Sequence, residues 1–395
     1  MRSWSKEFAR AFATISALMA GVADAQAPPK IPAIALVDAS DVAQWQSWTK
    51  DLGWLVIAPA AGSNAAIDAR IQTLQKAVVE AIQNGSADPA RIYLAGRGEG
   101  GSAVFYTASR IPDLWAAAVA VGGTPQAAID SGRLYTANLA NLPVLWVGAG
   151  AGESALAETL RAAGMALEFH GPDGFTAGTL LDWLRPHTRS EYPDNVDCET
   201  DSPTYASCYW IRMTKFDAAE RNDVLDSSRV EPSVSGALDL GGFGFKRDEP
   251  GPGVLIGYLP PKYSGPLKLG DRIVALDGRE IPDARRYVGL MAQITEERPA
   301  VATVQRGKDR MRIETRIILP QRAPGVTARV QGKYLPEEKE VQIVSRTVAE
   351  MRVEIPQQWV PSVLNWNGVP LESVEAAGCR FLRVEKGIQH AGSCQ

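Results

Sequence analysis

From Ile31 to about His187, short apolar runs alternate with stretches whose apolar residues recur at helical spacing. Ile34–Val37, Trp54–Ile57, Arg91–Ala95, Ala117–Val121, Val144–Val147 and Ala166–Phe169 read as strands buried on both faces. Between them, Ile71, Leu74, Val78 and Ile82 mark a helix over 67–82, and further helices are predicted over 102–109, 155–163 and 177–184. A glycine-rich turn separates the strand ending at Ala95 from the helix beginning at Ser102. Repeated βα units of this kind predict a doubly wound parallel sheet.

After Pro193 the texture changes to β-branched and aromatic residues punctuated by glycine turns. Strands are expected over 209–213, 326–330, 341–345, 349–355 and 363–369, with one helix over 284–294 and a linker at 320–324. Asn367-Gly368 is a hairpin-turn signal. The chain shows no internal repeat and no low-complexity tract.

With 395 residues the chain exceeds one compact core and implies two or three domains. A net charge of −4 supplies no basic face, so no nucleic-acid partner is indicated. Arg2, Lys6 and Arg10 precede an apolar run over 11–22, and Ala23-Asp24-Ala25 fits a small-x-small cleavage site. This predicts a signal peptide over 1–25 and a periplasmic or secreted protein, in preference to an amphipathic helix of the mature chain. The run is shorter than the about 18 apolar residues a span requires, and no later segment qualifies, so no membrane span is expected. Export suits Cys198, Cys208, Cys379 and Cys394, an even set compatible with disulfides whose connectivity the sequence leaves open. Free buried thiols are the alternative. No metal site and no cofactor are indicated, because the cysteine spacings are not CxxC-like.

Candidate chemistry centres on Asp88–Gly101, where Gly96 and Gly100 flank a strand-to-helix turn. The segment resembles the G-x-S-x-G nucleophile elbow of secreted, esterase-like α/β-hydrolases, and the likeness extends over residues 31 to 187. It implies an α/β-hydrolase-like domain, but the serine position holds Gly98, which has no side chain to attack an acyl carbon. The loop that would carry the oxyanion element reads Val37-Asp38-Ala39-Ser40. The acid position after Val147 reads Gly148 to Glu153, and the histidine loop reads Gly171 to Phe175. Ser102 as displaced nucleophile, Glu99 as carboxylate nucleophile or base, and His170 as base are the substitutes. Each has a plainer reading. Ser102 suits a backbone bond within its helix, Glu99 suits a helix N-terminus, and His170 suits a solvated strand end. Glu153 has no histidine to orient. The expectation is a degenerate elbow (Gly96, Gly98, Gly100) without catalytic residues; the alternative is an active carboxylic ester hydrolase with a rearranged site.

A second motif is Gly241-Gly242-Phe243-Gly244-Phe245, followed by Leu267-Lys268-Leu269-Gly270-Asp271-Arg272-Ile273 and Leu276-Asp277-Gly278. Together they resemble the carboxylate-binding loop and the core of PDZ domains. That resemblance implies a groove for C-terminal or extended peptides, lined by Gly242, Phe243, Gly244, Phe245 and the helix that begins near Ala284. A histidine at that helix start selects Ser or Thr ligands in the family; here Arg285, Arg286 and Tyr287 stand there, with Arg286 the groove candidate.

The resulting architecture has an α/β-hydrolase-like domain over 31–190 and a PDZ domain over 233–320. A β-sandwich-like domain is assembled from 194–232 and 325–395, resembling the small β domain of some secreted esterases. Two separate β domains are the alternative, distinguished by whether Tyr209-Trp210 pairs with the strand at Met351. The function expected is protein binding through peptide C-termini; a structural envelope protein whose groove is unused is the other reading.

Overall fold

The computed structural model describes residues 30–59, 65–148, 150, 152–173, 175–231, 236–246, 249–319 and 325–394. The expected signal peptide over 1–25 and the linker at 320–324 lie outside the described residues.

The first unit runs β1 (Ile31–Leu36), α1 (Val42–Thr49), β2 (Leu55–Ile57), α2 (Ile67–Gln83), β3 (Ala87–Arg97), α3 (Glu99–Arg110) and β4 (Ala117–Val121). It continues through α4 (Gln126–Asp130), β5 (Val144–Val147), α5 (Glu153–Ala162), β6 (Leu167–His170) and α6 (Ala177–Leu184). All neighbouring strands pair in parallel, in the order β2-β1-β3-β4-β5-β6. Alternate residues feed two cores. Ala33, Ile92, Leu94, Ala118 and Trp146 pack with α2, α3, α4 and α5, whereas Ile34, Leu36, Tyr93, Val119 and Leu145 pack with α1 and α6. Burial on both faces is why these strands read as continuous apolar runs.

One helix starts earlier than its sequence pattern predicts. Gly100 and Gly101 belong to the first turn of α3 rather than to a loop. The helix lies against the sheet too closely for a side chain at Gly101, whose Cβ would stand 2.9 Å from the carbonyl oxygen of Val121, or at Gly96 in β3, whose Cβ would overlap the backbone of Gly100.

Beyond the parallel sheet lie β7 (Asn195–Thr200), β8 (Ser207–Cys208) and β9 (Ile211–Phe216). Tyr209, at φ 55°, interrupts the strand expected at 209–213. The chain then builds β10 (Ala237–Leu238), β11 (Gly244–Lys246), β12 (Val254–Tyr258), β13 (Arg272–Leu276), β14 (Arg279–Glu280), α7 (Ala284–Ala292), β15 (Arg298–Arg306) and β16 (Asp309–Ile318). These strands form one antiparallel sheet, ordered β10-β16-β15-β13-β12-β11 with β14 on β13, around a separate apolar cluster.

The C-terminal strands are β17 (Ala328–Leu335), β18 (Glu340–Arg346), β19 (Val348–Ile355), β20 (Ser362–Trp366), β21 (Val369–Val374), β22 (Gly378–Glu385) and β23 (Ile388–Ser393). They join the strands that precede the groove-bearing sheet: β7 pairs β17, and β9 pairs β19 with Met213 opposite Met351. The two resulting five-stranded sheets enclose a core holding Trp210, Trp359 and Trp366. Asn367 and Gly368, both at positive φ, make the two-residue turn between β20 and β21. Disulfides join Cys198 to Cys208 and Cys379 to Cys394.

A buried carboxylate joins these parts. The Glu199 side chain is fully buried and accepts from Ser227 Oγ at 2.7 Å, Ser228 N at 2.6 Å, Ser228 Oγ, Thr327 Oγ1 and Arg346. Its backbone exchanges hydrogen bonds with the Asn138 amide, which also donates to Ser109 in α3. Burial pushes the Glu199 carboxyl up, but the bonds from Thr327, Ser227 and Ser228 outweigh it and hold it below the ordinary range. Replacing Glu199 with Ala strands the Arg346 charge, so urea unfolding is expected to show a loss of about 3–5 kcal/mol. Because the folded-state value is depressed, the wild-type stabilisation is present above the unfolded glutamate pKa and is lost as pH falls through the folded one. Glu199→Ala therefore flattens the acid limb of the stability curve; an unchanged limb would contradict this.

Candidate functional site

In the parallel sheet the chain steps outward from β1 to β2 and then crosses back to β3. This makes the carboxyl ends of β1 and β3 a topological switch point, where open α/β sheets form ligand crevices. The elbow stands there. Gly98, the N-cap of α3, has φ 54° and ψ −118°, a conformation that strains any residue with a Cβ. Its N–H donates to Val121 at 2.8 Å and its carbonyl accepts from Ser102 N at 3.0 Å. A Cβ placed on it would meet nothing within 4 Å, so the turn points into open space. The backbone form of an elbow is therefore present without the side chain.

The surrounding groups are turned to other tasks. Ser102 Oγ accepts from Thr124 N at 3.0 Å, tying α3 to the loop after β4; the partner is a backbone N–H rather than the carbonyl expected from its helical position. Glu99 lies exposed in the first turn of α3. His170 ends β6, three strand spacings (about 14 Å) from β3. Its Nε2 is 2.6 Å from Glu168 Oε1, and its ring packs on Phe175. The bond to His170, with that from Trp183, holds the Glu168 carboxyl below its usual range against a smaller effect of burial. His187 contacts the Trp183 carbonyl through Nδ1, and His390 lies on β23. No serine, histidine and carboxylate converge at the elbow among the described residues.

Two aspartates border the first turn of α3: a Cβ built on Gly100 would stand 3.3 Å from Asp38 Cβ and 3.3 Å from Asp41 Oδ2. Asp41 Oδ2 accepts from Arg97 N at 2.8 Å, and Asp38 Oδ1 accepts from Ser40 N at 2.9 Å. The Ser40 N–H chiefly holds the Asp38 carboxyl below its ordinary range. The Asp41 carboxylate takes up the Arg97 N–H beside the turn, and negative charge there opposes a developing oxyanion. A cavity of about 360 Å³ opens beside the elbow, walled by Trp48, Arg97, Gly122, Gly148, Phe175 and Leu180. The described residues contain no cluster of three or more His, Cys, Asp or Glu able to hold a metal ion.

A second cavity, of about 310 Å³, lies between β11 and α7. Its walls are Leu238, Phe243, Phe245, Tyr287, Val288 and Met291, joined by Gly242 at the loop end. Among the described residues β11 is an edge strand paired with β12 alone, so its other edge faces this space. The preceding loop turns through two left-handed glycines, Gly241 at φ 84° and Gly242 at φ 77°. Among the described residues, the N–H groups of Gly242 and Phe243 have no protein acceptor. The Tyr263 ring backs Gly241, and its hydroxyl donates to the Leu240 carbonyl and accepts from Leu267 N, which fixes the loop. Phe245 meets Tyr287 edge-on at 5.5 Å, setting the spacing of strand and helix. Asp271 is buried in a two-point bond with Arg306 (2.8 and 2.7 Å), which anchors the run before β13.

Gly242, Phe243 and Phe245 thus lie along one side of this cavity, whereas Gly244, between them, is outside its lining and stands opposite Tyr258 on β12. Arg286 is outside its lining: it is exposed, and its backbone N–H is capped by Asp283. The helix side is formed by Tyr287, Val288 and Met291, whose one-turn apolar spacing is the sequence signal that identifies them.

No family model and no curated protein matches the chain. Among solved structures it is similar to a thermostable esterase at 16% identity and TM-score 0.31, over 40% of this chain and 55% of that one. It is also similar to esterase PE8 at 16% identity and TM-score 0.27, over 40% of this chain and 92% of that one. The chain thus spans about half the length of the first of these, 55%. The six-stranded parallel sheet fits an α/β-hydrolase-like domain, and the remainder, antiparallel except where β18 pairs β20, is compatible with β-rich units.

The glycines of the elbow should separate by substitution. Gly98→Ala meets only backbone strain and is expected to lose about 1–3 kcal/mol in urea unfolding. Gly96→Ala must force α3 from the sheet and should lose more; equal losses would contradict the packing argument.

Proposed function

We propose that the chain is an exported, non-catalytic α/β-hydrolase-like protein that binds protein C-termini or extended peptides through a PDZ-like module inserted into a β-sandwich. The observation that carries this reading is the edge of β11, which among the described residues is unpaired, open to an apolar cavity and ending at two backbone N–H groups without an acceptor. A peptide laid along β11 would gain main-chain hydrogen bonds as an added strand. Its terminal carboxylate would take the Gly242 and Phe243 N–H groups, and its last side chain would enter the space between Phe245 and Met291. The two disulfides, and the absence among described residues of a helix long and apolar enough to cross a membrane, accord with an extracellular setting.

Lack of catalysis accords with the missing nucleophile, the separation of His170 from β3, and the Asp41 carboxylate beside the elbow. A second reading, an ester hydrolase with a rearranged site, draws on the strained backbone that Gly98 retains. A serine-directed fluorophosphonate probe separates the two. No labelling is expected of the wild type or of Gly98→Ser, since neither brings a base to the elbow. Stoichiometric labelling abolished by Ser102→Ala would establish the hydrolase reading.

Binding is tested on arrays of peptides with free C-termini. Val288→Trp fills the cavity and should weaken binding at least tenfold, a loss of about 1.4 kcal/mol. Gly289→Trp enters open space beside it and should bind as the wild type does. Equal binding by wild type and Val288→Trp would overturn the groove assignment.

A further inference from the structure

The groove between β11 and α7 differs in charge from end to end. At the loop end, the Gly236 N–H donates to the Met291 carbonyl at 2.8 Å, so the last turn of α7 lies beside the start of the module. Tyr287 meets Phe245 further along. The helix therefore runs opposite to β11, and its first turn lies towards the end of β11 that carries Lys246. There the chain presents three cations, exposed Lys246 on the strand and exposed Arg285 and Arg286 on the helix. None of the three has an ion-pair partner among the described residues. Asp283, which caps Arg286, is the acidic residue of that turn.

The two positions cover both faces of an added strand. Phe245 points towards α7, so its neighbour Lys246 lies on the opposite face, where its stem covers Gly257: a Cβ on Gly257 would stand 3.0 Å from Lys246 Cγ. Alternate side chains of a bound peptide would meet Lys246 on that face, and the others would approach the first turn of α7. The lining at the loop end is apolar, with the Gly242 and Phe243 N–H groups lacking an acceptor among the described residues.

We infer that the groove selects C-termini that combine an apolar last residue with Asp or Glu roughly three to five positions upstream, the distance from Gly242 to Lys246 along the strand. This rests on the peptide-binding reading above and adds the chemistry of the ligand to it.

Fluorescence anisotropy with the full chain tests it. The probes are labelled ten-residue peptides sharing one apolar C-terminal residue, with Glu, Gln or Lys at the upstream positions, and a C-terminally amidated Glu peptide. The Glu peptide should bind about fivefold tighter than the Gln peptide, and the Lys peptide weaker than both. Raising NaCl from about 0.05 to 0.5 M should erase most of that difference. In the triple variant Lys246→Glu, Arg285→Glu, Arg286→Glu the order should reverse, while the Gln peptide binds within about twofold of wild type, which also reports that the groove remains folded. Equal binding of the Glu, Gln and Lys peptides, or an unchanged preference in the triple variant, would overturn the charge selection and leave peptide binding standing. Failure of every free-carboxylate peptide, or equal binding by the amidated one, would overturn the peptide-binding reading itself.

Discussion

A carboxylate without water must be surrounded by donors, and the arrangement of this chain follows from where the donors of Glu199 come from. Ser227 and Ser228 lie on the segment that leaves for the groove-bearing sheet; Thr327 lies on the segment that returns from it; Arg346 comes from β18. The same residue's backbone is held by Asn138, which reaches α3 through Ser109. One residue thus fixes both points of departure of the inserted sheet through its side chain and joins them to the first unit through its backbone. Asp201, two residues on, repeats the arrangement with Arg110 and Arg133, whose bonds outweigh burial and keep its carboxyl below the usual range.

Against this frame the elbow illustrates how packing and chemistry separate. The close approach of α3 to β3 and β4 depends on Gly96, Gly101 and Gly123, and it preserves the strained turn at Gly98. Nothing in that packing requires a nucleophile. The same glycines that would serve an active elbow also serve a scaffold, and the difference lies in the side chains around the turn. Here those are Asp38, Asp41 and a serine engaged with Thr124. On the proposed reading, recognition has moved to the edge of another sheet, where the unsatisfied groups belong to the backbone.

Much of this was legible in the sequence because buried parallel strands and amphipathic helices carry strong periodic signals. The start of α3 was not, since Gly100 and Gly101 carry the composition of a loop, whereas the close approach of the helix to the sheet that excludes a side chain at Gly101 is visible only in the fold. The helix side of the groove was legible only in part: Arg286 and Tyr287 are adjacent in sequence but about 100° apart around a helix. Without the phase of α7, the side that faces β11 cannot be chosen. The Glu199 network was illegible, because Thr327 and Arg346 lie 128 and 147 residues away and a lone glutamate gives no sign of burial. The disulfides likewise became assignable only once β7, β8 and β22 were placed.

The central claim is that ligand recognition resides in the groove and not at the elbow. Amide hydrogen exchange of the full chain, with and without an excess of a free-carboxylate peptide ending in an apolar residue, tests it most directly. The account predicts new protection confined to residues 242–246 and 284–291, with 96–102 unchanged. Protection centred on 96–102 and 121–124, with the groove unaffected, would contradict it.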